Sequence, residues 1–428
     1  MTANIVRPAA RSSARGGALA ILDQAIVSGT NFCATILVGR ATSRSELGAY
    51  ALGFSVVVLT LAMQQALVCL PFTVFAPRAT AVRRRRLLGS ALLIGVALAG
   101  VASVALVAAA GICSVLPTAV KLSSLWLMLA VAIPFALLRE LARRTEFARL
   151  QVGRALSLDG FVAALQTGGL ATLYFTKYLT PLTAIACLGG SCAVVVTAWL
   201  LRNRHELRFR WRLLPQDIQR NWQLGRWALA GNLVSFGNAY LLHWVLAARL
   251  GVDSLGALAA CWTLIDLSNP FVIGLTNWLG PRCSHALHTE GVSGLRRFTL
   301  LGGGVISATM AAYAISLSFL GGTVIQWLFK PEYAPPITVV ALLAWSAFAS
   351  ASAAATTDAL TLLERQRVNL AAGILSLVLG ASLAWILTGP FYLVGGAAAF
   401  LAASLLSAVI RIGTFERVTR PACAEVRR

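Results

Sequence analysis

The chain has 428 residues, of which 58% are hydrophobic and 12% are charged, and its mean hydropathy is +0.77. This composition excludes an ordinary soluble globular protein, because it provides too little polar surface for a chain of this size. The net charge of +21 would suit nucleic-acid binding in a soluble protein. Here, however, the basic residues lie in the gaps between apolar stretches, which argues against a nucleic-acid partner.

About twelve apolar stretches follow one another along the chain, and a stretch of about 20 apolar residues is long enough to cross a bilayer. We predict that all of them are transmembrane α-helices, because lipid offers the peptide groups no other hydrogen-bond partner. The predicted spans are 16–38, 47–75, 87–116, 122–139, 155–176, 181–201, 225–247, 255–280, 298–328, 335–363, 368–388 and 391–411. The predicted fold class is therefore an all-α polytopic membrane protein.

Lys and Arg alternate between the intervals that separate these spans. Counted from the N-terminus, with the arginines at span ends 139, 226 and 411 assigned to the adjoining interval, the odd-numbered intervals hold 3, 5, 5, 7, 3, 2 and 5 of them, which is 30 of the 36. Cytoplasmic loops retain positive charge, so the pattern predicts a multi-pass protein of the inner (cytoplasmic) membrane with both termini in the cytoplasm. The four arginines at 83–86 adjoin the third span, where we expect them to contact anionic lipid headgroups.

The longest polar interval divides the chain into two sets of six helices. We predict an N-terminal bundle at 1–201, a cytoplasmic connector at 202–224, and a C-terminal bundle with a short basic tail at 225–428. The connector is rich in arginine and contains Trp211 and Trp222. This pattern is typical of an amphipathic helix on the membrane surface, although a plain solvated linker also fits it.

The start of the chain recurs faintly after the connector. A Gly-Arg pair followed by Leu-Gly-Ala at 39–49 corresponds to an Ala-Arg pair followed by Leu-Gly-Ala at 248–257. Because each half contains an even number of spans, we predict that a pseudo-two-fold axis along the membrane normal relates the two bundles. Paired bundles enclose a central cavity that opens to one side at a time, so this arrangement favours transport by alternating access.

Polar residues inside the spans predict where such a cavity lies, because charges at bilayer depth are costly unless they face water or a partner. On the first span, Asp23 and Thr30 are seven residues apart, which is close to two helical turns. Pro270 in the eighth span is predicted to bend that helix. The predicted cavity residues are Asp23, Gln24, Thr30, Asn31, Gln64, Gln65, Asn232, Ser235, His243, Asp266 and Asn277. Amides and hydroxyls suit a sugar, but the same residues can also simply join helices.

Three arginines are predicted at the cytoplasmic ends of spans, where they can bind a diphosphate or anchor the helices: Arg15, Arg139 and Arg226. The four histidines form no ligand pattern with carboxylates, and the cysteines have no metal-ligand spacing. We therefore expect no catalytic residues, no metal, no cofactor and no enzymatic activity.

Residues in the first third of the chain match a known pattern. They are Leu22, Asp23, Gln24, Ser28, Gly29, Asn31, Phe32, Arg40, Leu47, Gly48, Tyr50, Ala51, Gln64 and Gln65, followed by Leu138, Arg139, Glu140, Arg143, Arg144, Phe147 and Ala148. The pattern resembles bacterial polysaccharide transporters, the O-antigen and exopolysaccharide flippases of the multidrug/oligosaccharidyl-lipid/polysaccharide exporter superfamily. The likeness covers about the first 160 residues. Unlike related lipid II flippases, this chain shows no extra helix pair after the twelfth span and no group of arginines deep within its helices.

This resemblance implies a flippase that moves undecaprenyl-diphosphate-linked glycan repeat units across the membrane. Its implied partners are that glycan, membrane lipids and other proteins of polysaccharide assembly. Asp23 is the candidate for ion coupling, because a carboxylate inside a helix bundle can exchange protons. One alternative is a cation-coupled multidrug and toxin extrusion (MATE) antiporter of the same superfamily. A membrane polysaccharide polymerase or ligase is disfavoured, because every predicted external interval is short.

Overall fold

The computed structural model describes residues 7–115, 120–333 and 335–425, which are almost entirely α-helical. The side chains of residues 7–18, 20–21, 120–121 and 421–425 lie outside this description. The helices are α1 (Arg7–Ala41), α2 (Arg44–Gln64), α3 (Leu70–Phe75), α4 (Ala81–Val115), α5 (Val120–Ala148), α6 (Val152–Phe175), α7 (Pro181–Asn203), α8 (Leu214–Leu250), α9 (Val252–Asp266), α10 (Asn269–Leu328), α11 (Ile337–Ser352), α12 (Ala354–Leu362) and α13 (Gln366–Glu425).

The predicted all-α membrane class is confirmed. Seven helical stretches among the described residues are long and apolar enough to cross a bilayer, and two of them, with 77 and 55 residues, are long enough to cross it more than once. The long helices α10 and α13 each contain a residue with non-helical dihedral angles, Gly291 (φ 69°) and Tyr392 (φ 50°). Gly291 falls between the predicted spans 255–280 and 298–328, and Tyr392 at the junction of 368–388 and 391–411. Each long helix therefore breaks close to a predicted boundary between spans.

The chain forms two compact units. The first contains residues 1–42 and 49–233, and the second contains residues 43–48 and 234–428. The division therefore falls inside α8, whereas the sequence analysis placed the boundaries at 201 and 225. The division cannot be recognised in the sequence, because it falls within a continuous helix of 37 residues whose composition does not change at residue 233.

The connector predicted at 202–224 is not one amphipathic helix. Residues 204–206 and 211–213 form short 3₁₀ turns, 207–210 are irregular, and α8 begins at Leu214. Ion pairs hold this part of the chain to the start of α4. Arg85 pairs with Glu206 at 3.4 Å, and Arg86 pairs with Asp217 at 2.7 Å. Two of the arginines at 83–86 that were expected to contact lipid therefore bind acidic side chains of the connector and α8.

Proline residues mark two specialised helix sites. In α5, Pro134 has no N–H to offer the carbonyl group of Ala130, and the hydroxyl of Ser103 in α4 donates to that carbonyl at 2.7 Å. The predicted bend at Pro270 is instead a break between helices: α9 ends at Asp266 and α10 begins at Asn269. Pro270 lies in the first turn of α10, where its missing N–H costs no helical hydrogen bond.

Two glycines allow a close crossing in the second unit, to which the first turn of α2 belongs. A methyl group on Gly48 would collide with the carbonyl oxygen of Val252, and one on Gly256 would collide with the carbonyl oxygen of Arg44. The contact is reciprocal, because each glycine lies one helical turn after the residue that the other touches. Arg44 also pairs with Asp253 at 3.5 Å. These glycines are the pair that the repeated Leu-Gly-Ala pattern aligns.

We expect Gly48→Ala and Gly256→Ala each to destabilise the protein by about 1–3 kcal/mol, because the added methyl group forces the two backbones apart. Thermal unfolding of the purified protein in detergent measures this effect. Gly100→Ala in α4 is the matched control, since no heavy atom lies within 4 Å of the added carbon. A helical Gly→Ala change without a clash should stabilise by about 0.5–1 kcal/mol. Equal shifts for all three variants would contradict the close crossing.

Candidate functional site

The C-terminal part of α5 carries charged residues that the sequence analysis placed in a loop. The predicted span ended at residue 139, but the helix continues to Ala148. Arg139, Glu140, Arg143 and Arg144 are spaced three and four residues apart, so the helix brings them onto neighbouring positions of one face. This face packs inside the first unit against α1 and α6.

Arg143 bridges two carboxylates from different helices. Its Nη2 lies 2.5 Å from Oδ2 of Asp23 in α1, and its Nε lies 2.7 Å from Oδ2 of Asp159 in α6. The side chains of Asp23 and Asp159 are 1% and 0% exposed. Buried carboxylates are tolerated only when they are paired, and the fork of one guanidinium pairs both. Arg143 therefore links α1, α5 and α6.

Further ion pairs surround this bridge. Nη2 of Arg139 contacts Oδ1 of Asp159 at 2.5 Å, and Nε of Arg144 contacts Oε1 of Glu140 at 2.7 Å. The Glu140 carboxylate also lies 3.5 Å from both Arg139 and Arg143. We call these six residues the charge cluster: Asp23, Arg139, Glu140, Arg143, Arg144 and Asp159. Its three carboxylates and three guanidiniums balance in formal charge.

The charge cluster corrects the expectation that the helices hold no group of buried arginines. The side chains of Arg139 and Arg143 are 15% and 14% exposed, so both lie inside the bundle. Arg139 was predicted to lie at the cytoplasmic end of a span, and the burial of both arginines was not expected, because a run of arginines next to a span is usually a cytoplasmic anchor. Asp159 was not among the predicted site residues, although an aspartate within the predicted span 155–176 was itself a signal of a buried partner.

Of the polar residues predicted on α1, only Asp23 reaches the charge cluster. The hydroxyl of Thr30 donates to the carbonyl oxygen of Ile26 at 2.8 Å, and the amide of Gln24 lies 3.4 Å from the hydroxyl of Ser28. Asn31 is half-buried. Thr30 and Gln24 therefore use their side chains within their own helix.

Gln64 of α2 and Asn232 of α8 join helices of the first unit. Gln64 is fully buried, and its amide donates to the carbonyl oxygen of Leu137 at 2.9 Å. The amide of Asn232 donates to the carbonyl oxygen of Ala62, also at 2.9 Å. Gln65 opens a five-residue π-helical turn, and its Oε1 is buried without a hydrogen bond to the described residues. For Gln64 and Asn232 the structure supports the helix-joining interpretation.

His243 belongs to a row of rings in the second unit, which we call the aromatic row. Adjacent ring centroids are 5.0 to 6.0 Å apart. Its members are Phe236, Tyr240, His243, Trp262 and Phe400, from α8, α9 and α13. Nδ1 of His243 and Nε1 of Trp262 are buried and have no hydrogen-bond partner in the described part of the chain. Such orphaned polar atoms are rare in native proteins, so the aromatic row offers two unused polar groups.

Asp266 adds a carboxylate close to the aromatic row. It is the last residue of α9 and lies four residues after Trp262, on the same face of the helix. Its Oδ1 accepts a hydrogen bond from Asn269 at 2.9 Å. Asp266 and the other two predicted cavity residues of this unit, Ser235 and Asn277, are exposed. Asp266 therefore lies one helical turn beyond Trp262, the ring that stacks on His243.

The three candidate diphosphate ligands are not equivalent. Arg139 forms ion pairs with Asp159 and Glu140 in the charge cluster. Arg226 is exposed, with its guanidinium carbon 5.6 Å from the ring of Trp227, as expected of an anchor at an interface. The side chain of Arg15 lies outside the described residues.

Comparisons with known proteins give matches only among solved structures. No protein-family model matches this chain, and no curated protein matches it significantly. An inward-facing multidrug resistance MATE family transporter of the MOP superfamily has a TM-score of 0.76 and 13% identity over 91% of this chain and 94% of its own. A MOP superfamily transporter from Pyrococcus furiosus has a TM-score of 0.68 and 13% identity over 95% of each chain. A variant of a Vibrio cholerae MATE transporter has a TM-score of 0.67 and 12% identity over 96% of this chain and 97% of its own.

At this level of identity the likeness establishes the fold. The chain is a multi-pass α-helical membrane protein with the fold of MOP superfamily transporters. The matched structures have the fold that the sequence resemblance implied, and those named above are described as MATE or MOP superfamily transporters rather than as polysaccharide flippases.

We expect Arg143→Ala to destabilise the protein by about 3–5 kcal/mol, because it leaves two buried carboxylates without their shared partner. Thermal unfolding in detergent measures the loss. Arg212→Ala is the control, since Arg212 is exposed in the connector and its removal also deletes one positive charge. If the two variants unfold at the same temperature, Arg143 does not hold the three helices together.

Proposed function

We propose that this protein is a secondary transporter that works by alternating access and couples transport to a cation through the charge cluster. The observation that carries the proposal is the pair of buried carboxylates, Asp23 and Asp159, that share one guanidinium. A proton or metal cation that binds either carboxylate competes directly with Arg143. Ion binding therefore changes the contacts among α1, α5 and α6.

The charge balance of the cluster supports this mechanism. With Asp23 and Asp159 both ionised, the cluster is formally neutral and its three helices are bonded together. Protonation of Asp23 removes its ion pair with Arg143, which retains Asp159 at 2.7 Å. The helix α1 then loses its charged contact with α5, while α5 and α6 keep theirs. A ligand that exchanges one set of packed contacts for another can drive a conformational transition.

The aromatic row with Asp266 favours an organic cation as the substrate. Aromatic faces attract cations through their quadrupole, and a nearby carboxylate adds a full negative charge. The buried Nδ1 of His243 and Nε1 of Trp262 can form hydrogen bonds with polar groups of such a substrate. A cation-coupled antiporter of the MATE type combines these features, and the likeness to MATE structures is consistent with it.

The second candidate is a flippase for lipid-linked oligosaccharides. Two observations favour it: the resemblance of the first 160 residues to polysaccharide transporters, and the presence of Arg139 and Arg143 inside the bundle. Paired guanidiniums recognise phosphate oxygens, so a diphosphate can compete with Asp23 and Asp159 for them. The aromatic row can stack against sugar rings.

We expect Asp23→Asn and Asp159→Asn each to reduce gradient-driven transport by at least about tenfold, because each change removes a group that binds the coupling cation. Transport into everted vesicles at an imposed ion gradient measures this effect. Asp253→Asn is the control, because Asp253 is an exposed residue outside the charge cluster. Unchanged dependence on the gradient in both cluster variants would refute the coupling role.

The substrate class is tested with a strain that lacks the gene. For an antiporter, we expect this strain to be more sensitive to cationic dyes. The wild-type protein should restore resistance and the Asp266→Asn variant should not, because Asp266 supplies the negative charge near the aromatic row. For a flippase, we expect a lipid-linked glycan to accumulate on the cytoplasmic face with unchanged dye sensitivity. Dye efflux and extraction of labelled lipid-linked sugars distinguish the two outcomes.

A further inference from the structure

The first unit contains a groove on its outer surface that the transport mechanism does not use. The groove has a volume of about 320 Å³ and lies between α6 and α7, with the end of α5 beside it. Its apolar walls include Phe161, Leu165 and Val194, which are 65%, 44% and 61% exposed. In a membrane-spanning bundle, such exposed apolar side chains face the acyl chains of the bilayer. The groove is therefore accessible from lipid.

Two arginines lie at one end of the groove. Arg154 is in the first turn of α6 and Arg202 is in the last turn of α7, and the antiparallel course of the two helices brings both to the same end. Leu165 lies eleven residues beyond Arg154, and Val194 lies eight residues before Arg202. At a rise of 1.5 Å per residue, the apolar walls extend about 12–16 Å from the arginines. This length is about half of a hydrocarbon core of roughly 30 Å.

Both guanidiniums are accessible at this end. Arg154 is exposed and donates to the side-chain oxygen of Gln151 at 2.6 Å. Arg202 is exposed, and within the described ranges no carboxylate pairs with it. The alternation of basic residues predicts that this end of α6 and α7 faces the cytoplasm. The arginines then lie at the level of the lipid headgroups.

The inner wall of the groove is polar at the same end. Oε1 of Glu146 accepts a hydrogen bond from the indole N–H of Trp199 at 2.8 Å, and Arg149 lies 3.7 Å from the same oxygen. Oε2 of Glu146 is buried and has no hydrogen-bond partner among the described residues. Oδ1 of Asn203 accepts a hydrogen bond from Nη1 of Arg149 at 3.0 Å. The end of the groove therefore combines two accessible cations with a polar inner wall.

We propose that this groove is a binding site for an anionic glycerophospholipid of the phosphatidylglycerol type. The phosphate lies between Arg154 and Arg202, and one acyl chain follows Leu158, Phe161 and Leu165. The site lies outside the charge cluster and the aromatic row, so the proposal does not depend on which substrate the protein transports.

Charge and shape together favour a lipid over other occupants. A free phosphate would use the arginines but not the apolar walls. A zwitterionic lipid such as phosphatidylcholine has no net negative charge for the two arginines. Anionic lipids are enriched where basic residues meet the cytoplasmic leaflet, which is the predicted location of this end.

Native mass spectrometry of the purified full-length protein tests the headgroup contacts. We expect the wild type to bind phosphatidylglycerol at least about tenfold more tightly than phosphatidylcholine, and the double variant Arg154→Ala/Arg202→Ala to lose this preference. The control is Arg204→Ala/Arg212→Ala, which removes two exposed arginines that do not line the groove. Equal binding of both lipids by the wild type, or an equal loss in the control, would overturn the proposal.

A second pair of variants tests the apolar part of the site. Ala198 in α7 lines the groove, whereas Ala164 in α6 is also exposed but does not line it. We expect Ala198→Phe to fill the groove and weaken phosphatidylglycerol binding by about tenfold or more with both arginines intact, and Ala164→Phe to leave it unchanged. If Ala198→Phe binds phosphatidylglycerol like the wild type, the groove does not hold an acyl chain and the lipid site is refuted. If inorganic phosphate displaces the lipid, the guanidiniums bind phosphate alone, which also refutes the lipid site. Thermal unfolding of each variant shows whether it is folded.

Discussion

The guanidinium of Arg143 lies between the carboxylates of Asp23 and Asp159 and joins three helices of the first unit through one side chain. Buried ionised groups are stable only with close partners of opposite charge, so α1, α5 and α6 must meet in the one register that brings these three side chains together. The requirement also explains why α5 continues to Ala148. A helix that ended near residue 139 would leave the two carboxylates without a shared partner.

The two units carry different chemistry. The first holds six charged residues in balance, so that an added proton or cation must displace an existing ion pair. The second holds stacked rings with one carboxylate nearby. This arrangement suits a ligand that contacts ring faces and unpaired polar atoms, without displacing an existing ion pair. In the proposed antiport mechanism, the charge cluster of the first unit responds to the coupling ion and the aromatic row of the second unit recognises the substrate.

The end of α5 contributes to both the inside and the outside of the first unit. Arg143 faces the charge cluster, and Glu146, three residues later, lines the groove between α6 and α7. Residues three apart lie on neighbouring positions of a helix. A lipid bound in the groove therefore lies against the part of α5 that carries Arg143, the partner of the buried carboxylates.

The fold class and the location of the helices could be predicted from the sequence, because apolar length and the alternation of basic residues are local properties that the bilayer imposes on every span. Asp23, His243 and Asp266 could also be recognised as unusual, since polar groups at bilayer depth are rare. Their partners, in contrast, depend on how the helices pack. Arg143 and Asp159 are 120 and 136 residues from Asp23 in the chain. A pairing between residues so far apart produces no periodic pattern in the sequence. For the same reason the sequence indicated Arg139 only as a diphosphate ligand or an anchor at the cytoplasmic end of a span. Side chains that look like loop charges become buried partners only when a third helix packs against them.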